Sequence, residues 1–102
     1  MEHCEKGETM INLKRYTFWL NHQVNTVFAI EYKNCEPYFE KFQKDTLWIR
    51  KELKKIGHTL SGTLSISGNM YWITDVPYTQ SNIQLENIVD EYNEQSNKDN
   101  KK

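Results

Sequence analysis

Apolar and polar side chains alternate along three stretches of the chain, and a fourth stretch follows a turn signal with an unbroken apolar run; together they predict four β-strands. The period of two residues is typical of strands that bury one face. The predicted strands cover residues 11–21, 27–33, 59–67 and 70–76. The pentapeptide 22–26, HQVNT, separates the first two strands and is predicted to be a loop.

Helical spacing of apolar residues marks two further elements. Between Asn34 and Gly57, apolar residues recur every three, four or seven positions, which is an amphipathic helical pattern. Asn34 is suited to cap the start of this helix, and Gly57 to end it in a left-handed conformation. A second helix is predicted from Ser81, because Ser81 and Gln84 match a capping box.

The order of these elements, ββαββα, predicts an α+β fold. The simplest arrangement is a two-layer sandwich: a four-stranded, mainly antiparallel sheet with both helices on one face. We expect one domain over residues 10–95 of the 102-residue chain. Residues 1–9 and 96–102 are polar and lack periodicity, so they are predicted to be disordered tails.

The turn between the last two strands determines which side chains share a face of the sheet. Gly68-Asn69 fits a two-residue hairpin turn. The register that follows predicts four residues under the helices: Leu64, Ile66, Tyr71 and Ile73. Met70 and Trp72 would lie on the open face with a row of serines and threonines. The opposite assignment would bury those hydroxyls at a cost of about 1–3 kcal/mol each.

The first hairpin gives a similar prediction. Its core face would hold Tyr16, Phe18, Leu20, Phe28, Ile30 and Tyr32. Ile11 and Leu13 have the opposite parity, which a bulge near Lys14-Arg15 would correct. Trp19 is then left on the open face.

Exposed aromatic residues predict a surface for a protein partner or for self-association. Trp19, Met70 and Trp72 would form an apolar patch on the open face, and residues of these types are common in interfaces. Leu47 and Trp48 lie beside the core stripe of the first helix and would add an apolar shoulder. Such a patch is large for a monomer. A homodimer is one form that this surface could take.

Charged residues are segregated along the chain. Residues 50–55 hold four bases and one acid, whereas the second helix carries four acids and no base up to residue 95. Candidate charged contacts are Arg15, Lys33, Arg50, Lys54, Glu86, Asp90, Glu91 and Glu94. Two solvated helix faces that form weak ion pairs are favoured over an acidic strip that binds a basic partner.

Composition narrows the functional classes. No apolar run approaches the roughly 18 residues of a membrane helix, and the first ten residues lack the apolar core of a secretory signal. A cytoplasmic protein with free Cys4 and Cys35 thiols is therefore expected. Lysine outnumbers arginine 11 to 2 and there are ten asparagines. This bias suits a low-GC bacterium or its phage.

Sequence motifs for catalysis, metals and cofactors are absent. The histidines lack ligand spacing with the cysteines, and His58 with Asp75 has no supporting pattern. The sequence therefore predicts a non-enzymatic protein-binding module without cofactor or metal, such as an inhibitor, an immunity or counter-defence protein, or a regulatory protein. The alternative is a single-strand nucleic-acid binder that uses Arg15 and Lys33 beside the open-face aromatics. Glu31 and the net charge of −1 oppose it.

Overall fold

A computed structural model describes residues 9–34, 39–79 and 81–100 of the chain. The elements are β1 (Thr9–Leu20), β2 (Gln23–Asn34), α1 (Phe39–Lys55), β3 (Leu60–Ile66), β4 (Asn69–Pro77) and α2 (Ile83–Asn100). All neighbouring strands are antiparallel, and the sheet order is β1-β2-β4-β3. The α+β fold and the ββαββα order are confirmed. No helix in the described ranges has the length and apolar character needed to cross a bilayer.

The core lies between the two helices and one face of the sheet. Its buried members are Ile11, Phe28, Ile30, Tyr32, Phe42, Ile49, Leu53, Trp72, Val76, Leu85, Ile88, Val89 and Tyr92. Trp72 is fully buried, and its ring stacks on Phe42 at 5.9 Å between centroids. Its indole N–H donates to Thr46 Oγ1 of α1 at 2.9 Å, which satisfies the one polar group of the side chain.

The turn between β3 and β4 is Ser67-Gly68, so the predicted Gly68-Asn69 turn is wrong. Both turn residues have positive φ, 52° and 85°, and the flanking pair is Ile66 with Asn69. Leu64, Ile66, Tyr71 and Ile73 nevertheless share one face, as predicted, because Leu64 lies directly opposite Tyr71.

The covered face of this hairpin, however, is the other one. Trp72 lies under the helices with 0% of its surface exposed, and Met70 packs against the same core. Leu64, Ile66, Tyr71 and Ile73 lie on the face without helices. Thr63 and Ser65 share the helix side but remain exposed, because β3 is an edge strand and its hydroxyls reach water. The free-energy cost of burying unpaired hydroxyls therefore does not apply to this arrangement.

The face assignment predicted for the first hairpin is also reversed in part. Its register runs without a break from Thr9 opposite Asn34 to Leu20 opposite Gln23, so the predicted bulge near residues 14–15 is wrong. Its turn is the two-residue Asn21-His22. It is not the pentapeptide 22–26.

Face assignments in β1 follow from this unbroken register. Ile11 and Leu13 lie on the helix side, opposite Tyr32 and Ile30. Tyr16 and Phe18 have the other parity and lie on the open face, so their predicted place in the core is wrong. Side chains switch faces at every residue.

Helix ends agree with the sequence in one case and differ in another. Gly57 (φ 82°) is confirmed as the left-handed residue after α1: its N–H bonds to Lys54 O, and His58 N–H bonds to Leu53 O. These two bonds form a Schellman motif. Asn82 caps α2 through Leu85 N–H at 3.0 Å, so the predicted Ser81 cap is displaced by one residue.

Helix α2 extends beyond the residue-95 boundary predicted for the domain. It continues to Asn100, and the Ser96 hydroxyl donates to Thr9 O at 2.9 Å. The Asn93 side chain bonds both the N–H and the C=O of Ile11. These contacts attach α2 to the outer edge of β1. Of the predicted tails, residues 1–8 and 101–102 lie outside the described residues.

Candidate binding groove on the open sheet face

The sheet face that neither α1 nor α2 covers is largely apolar. Eight apolar side chains lie on it: Tyr16, Phe18, Val27, Ala29, Leu64, Ile66, Tyr71 and Ile73. Asn12, Lys14, Glu31 and Lys33 share this face by strand parity. An antiparallel sheet with one covered face normally presents polar residues on the other. This face therefore departs from the usual pattern and is a candidate binding surface.

The open face is curved into a groove. Tyr16 of β1 and Leu64 of β3 line the same cavity of about 250 Å³, although these strands are the two edges of the sheet. Ile73 lines this cavity and Ala29 lines the neighbouring one; they are only 8% and 2% exposed, although neither α1 nor α2 lies above them. We call these eight residues and the concavity between them the open-face groove.

An aromatic pair forms one wall of this groove. Tyr16 and Phe18 project from the same face of β1, two residues apart. Their rings stack with centroids 5.8 Å apart and an interplanar angle of 25°. Both are half-buried, so they present aromatic surface to the groove while retaining contact with the sheet.

A buried carboxylate lies at one end of the groove. Glu31 is 5% exposed, and its Oε2 accepts the Tyr71 hydroxyl proton at 3.1 Å. Its Oε1 is also buried and accepts no hydrogen bond within the described residues. Lys14 Nζ is 3.8 Å from Oε1, which is beyond hydrogen-bonding distance. We call the adjoining cavity of about 250 Å³ the Glu31 pocket; its lining residues are Lys14, Arg15, Tyr16, Ala29, Glu31, Ile66 and Tyr71.

The electrostatic effect of Glu31 extends to its partner. The pKa of Tyr71 is raised above the ordinary 10.0 by burial, by its hydrogen bond to Glu31 and by the negative charge of that carboxylate. Tyr71 therefore stays protonated and continues to donate at neutral pH. Glu31 Oε1, by contrast, has only the ion pair with Lys14 and accepts no hydrogen bond within the described residues.

The tip of the first hairpin is a second exposed apolar feature. Trp19, Leu20 and Val24 are 73%, 56% and 55% exposed. Pairing of β2 with β4 begins only at Val27, so residues 17–25 form a two-stranded projection beyond the sheet. Trp19 is thus exposed as predicted, but on the opposite side of β1 from Tyr16 and Phe18, and not on the open face.

The predicted aromatic patch is not assembled. Trp72 is fully buried in the core and cannot serve as a surface contact, whereas Met70 is partly buried on the helix side of the sheet. Trp48 is half-buried against Tyr92 of α2, with ring centroids 5.3 Å apart. Leu47 is 57% exposed on the outer side of α1. The predicted shoulder of Leu47 and Trp48 is therefore divided between solvent and the contact between the helices.

The predicted charged contacts lie on different surfaces. Lys33 is on the open face, whereas Arg15 has the helix-side parity and reaches the edge of the Glu31 pocket. The helix charges Arg50, Lys54, Glu86, Asp90, Glu91 and Glu94 are all exposed and form no ion pair within the described residues. The weak inter-helix pairs expected from the sequence are absent from this part of the chain.

His58 and Asp75 do meet, in a structural contact between the end of α1 and β4. Asp75 Oδ1 accepts from Thr59 N–H at 3.0 Å and lies 3.0 Å from His58 Nδ1, while Oδ2 accepts the Thr59 hydroxyl at 3.1 Å. Burial acts to raise the Asp75 pKa, but the Thr59 hydrogen bonds and His58 outweigh it and lower that pKa. The three contacts of Asp75 all go to His58 and Thr59, so they hold this loop in place.

Metal ligation finds no support in the described ranges, where no three His, Cys, Asp or Glu side chains cluster. Cys4, Cys35 and His3 lie outside the described residues.

Sequence reasoning missed Glu31 as a pocket residue and assigned most of the groove to the core. One signal was available: the apolar phase of β1 changes between Leu13 and Tyr16. We interpreted this change as a bulge, whereas a straight strand with two apolar faces explains it without an irregularity.

Comparison of the chain with protein-family models, with curated proteins and with solved structures finds no match.

Proposed function

We propose that this protein is a non-enzymatic protein-binding module whose binding surface is the open-face groove. The observation that supports this most strongly is that apolar side chains occupy the sheet face that neither α1 nor α2 covers. Concave apolar surfaces with a few polar groups are typical of binding sites, and a partner side chain there would be largely desolvated. An inhibitory or regulatory role fits this mode of action.

Alternate strand faces explain how the module keeps folding and binding separate. Trp72 and Ile30 stabilise the helix side, while their neighbours Tyr71 and Glu31 face the groove. Substitutions at exposed groove positions should therefore change binding more than stability. Ile66, which is 48% exposed, is the most suitable position for this test.

The test compares Ile66→Asp with Leu47→Asp, two exposed apolar residues on different faces. Peptides selected from a displayed random library on the wild-type protein should bind Ile66→Asp at least about tenfold more weakly. A charge placed in the groove wall would be desolvated on binding. Binding to Leu47→Asp should be unchanged, since Leu47 lies on α1, away from the groove.

Unfolding midpoints of both variants should remain close to the wild-type value, which confirms that binding and not folding is measured. Peptides that bind Ile66→Asp normally, or that lose affinity equally with Leu47→Asp, would contradict the proposal.

The second candidate function is single-strand nucleic-acid binding on the same face. The stacked pair Tyr16 and Phe18 favours it, because Lys14 and Arg15 precede these rings along β1 and bases stack on aromatic side chains. The test is titration of labelled oligonucleotides at several salt concentrations. Affinity should fall with a log–log slope of about −0.7 for each phosphate contact. Salt-independent or undetectable binding would exclude this function.

A further inference from the structure

The hairpin tip and the Glu31 pocket have complementary chemistry. Trp19 presents a large apolar ring that is 73% exposed, and no hydrogen bond of its indole N–H occurs within the described residues. The pocket presents Tyr16, Ile66 and the Glu31 Oε1 oxygen, which is ion-paired with Lys14 at 3.8 Å but accepts no hydrogen bond within the described residues. Since an indole only donates and a carboxylate only accepts, the two polar groups match.

We propose that the open-face groove receives the hairpin tip of a second copy of this chain, with the Trp19 indole in the Glu31 pocket and its N–H donating to Glu31 Oε1. This inference rests on the proposed function, because it names the partner of the same groove. A reciprocal arrangement of two tips and two grooves closes as a twofold dimer, which is the commonest symmetry of homo-oligomers.

The occupant must come from another molecule. Trp19 and the groove residues Tyr16 and Phe18 lie on opposite sides of the same strand, so the tip cannot fold back into its own groove. The tip can reach a neighbour, because residues 23–27 carry β2 about 13 Å past its last pair with β4. Val24, the partner of Trp19 across the hairpin, would add apolar contact beside it.

The charges around the pocket favour a neutral donor over a cation. Lys14 Nζ is 3.8 Å from Glu31 Oε1, and Arg15 lines the same cavity. A lysine or arginine from a partner would be repelled by both of them. An indole N–H supplies the missing hydrogen bond without added charge. The cavity, at about 250 Å³, is below the usual range for drug-sized ligands and suits one side chain.

The occupied pocket would also remove an unfavourable feature of the free chain. A buried acceptor without a hydrogen bond is destabilising, and the exposed indole gains by leaving water. Both improvements occur only in the associated state. Self-association therefore depends on each of two distant residues, and this dependence is what the experiment measures.

Sedimentation velocity over a concentration series tests the proposal with the full-length chain. The wild-type protein should form a dimer. Trp19→Ala and Ile66→Asp should each weaken self-association about a hundredfold, and Trp19→Phe, which keeps a ring but loses the N–H, about tenfold. Leu47→Asp should dimerise like the wild type. Thermal unfolding checks that each variant is folded.

A mixture of the two defective variants provides the decisive measurement. Trp19→Ala retains an intact groove, and Ile66→Asp retains an intact tip, so together they can form one tip-in-groove contact. Their equimolar mixture should associate more strongly than either variant alone. The proposal is overturned if the mixture associates no more strongly than either variant alone, or if Trp19→Ala dimerises normally.

Failure of this inference is distinguishable from failure of the proposed function. A wild-type protein that stays monomeric overturns self-association. Peptides that bind the same protein through Ile66 would then still support the groove as a site for a different protein partner.

Discussion

At the scale of single residues, one carboxylate joins three elements of the fold. Asp45 Oδ2 accepts the hydroxyl protons of Tyr32 at 2.7 Å and Tyr92 at 2.6 Å, and Lys41 Nζ lies 3.1 Å away. Burial, followed by the hydrogen bond and charge of Asp45, raises the pKa of Tyr92 far above 10.0. This cluster links β2 to both helices through hydrogen bonds, in addition to the apolar contacts of the same tyrosine rings.

Asp45→Ala should lower the free energy of unfolding by about 2 kcal/mol at neutral pH, because two buried hydroxyls lose their acceptor. Asp45→Asn keeps an acceptor oxygen and should lose less. Since the Tyr92 pKa is raised on folding, its stabilising contribution is complete below pH 10.0 and is lost as pH rises above that value.

The same Asp45→Ala variant removes two causes of the Tyr92 shift and should therefore lose less stability above pH 10.0 than the wild type. Urea unfolding at neutral and alkaline pH measures both effects. Equal alkaline losses in the two proteins would show that Asp45 does not control Tyr92.

At the scale of elements, turn geometry determines what the sequence could and could not predict. The four strands, the α1 stripe and Gly57 follow from local patterns, which carry their own periodicity. Local patterns do not determine which face of the sheet the helices cover, because both faces of β4 are apolar. Trp72 lies on one face, and Tyr71 and Ile73 lie on the other. The hydroxyl row of β3 misled the assignment, since its position at the sheet edge leaves those hydroxyls in water.

The Asn21-His22 turn gives a prediction for the first hairpin. His22 has φ 61° and is exposed, and a left-handed conformation is unfavourable for residues other than glycine. His22→Gly should therefore raise the free energy of unfolding by about 0.5 kcal/mol. The relief of backbone strain is partly offset by the larger conformational entropy that glycine loses on folding. His22→Val, which is β-branched, should lower it. Thermal unfolding of the three proteins is the measurement. A loss of stability in His22→Gly would contradict this prediction, because the entropic cost of glycine would then exceed the strain that it relieves.

At the scale of the whole molecule, the helix layer carries separated charges, with a basic outer side on α1 and an acidic one on α2. Both sets of charges are exposed, and no ion pair joins the two helices within the described ranges. Exposed pairs contribute about 0–1 kcal/mol even when formed. The helix layer therefore contributes to stability through its apolar side, while its charges remain available to a partner.

A double-mutant cycle of Arg50→Ala and Glu91→Ala tests this division between the two sides of the helices. Each substitution should change the free energy of unfolding by less than about 0.5 kcal/mol, and the coupling between them should be close to zero, because no ion pair joins them. Lys55→Ala with Glu52→Ala is the matched positive control, since that pair is 3.0 Å apart. It should show a coupling of about 0.3–0.5 kcal/mol at low salt. A coupling for Arg50 and Glu91 as large as this control would mean that the two helix faces stabilise one another across the layer.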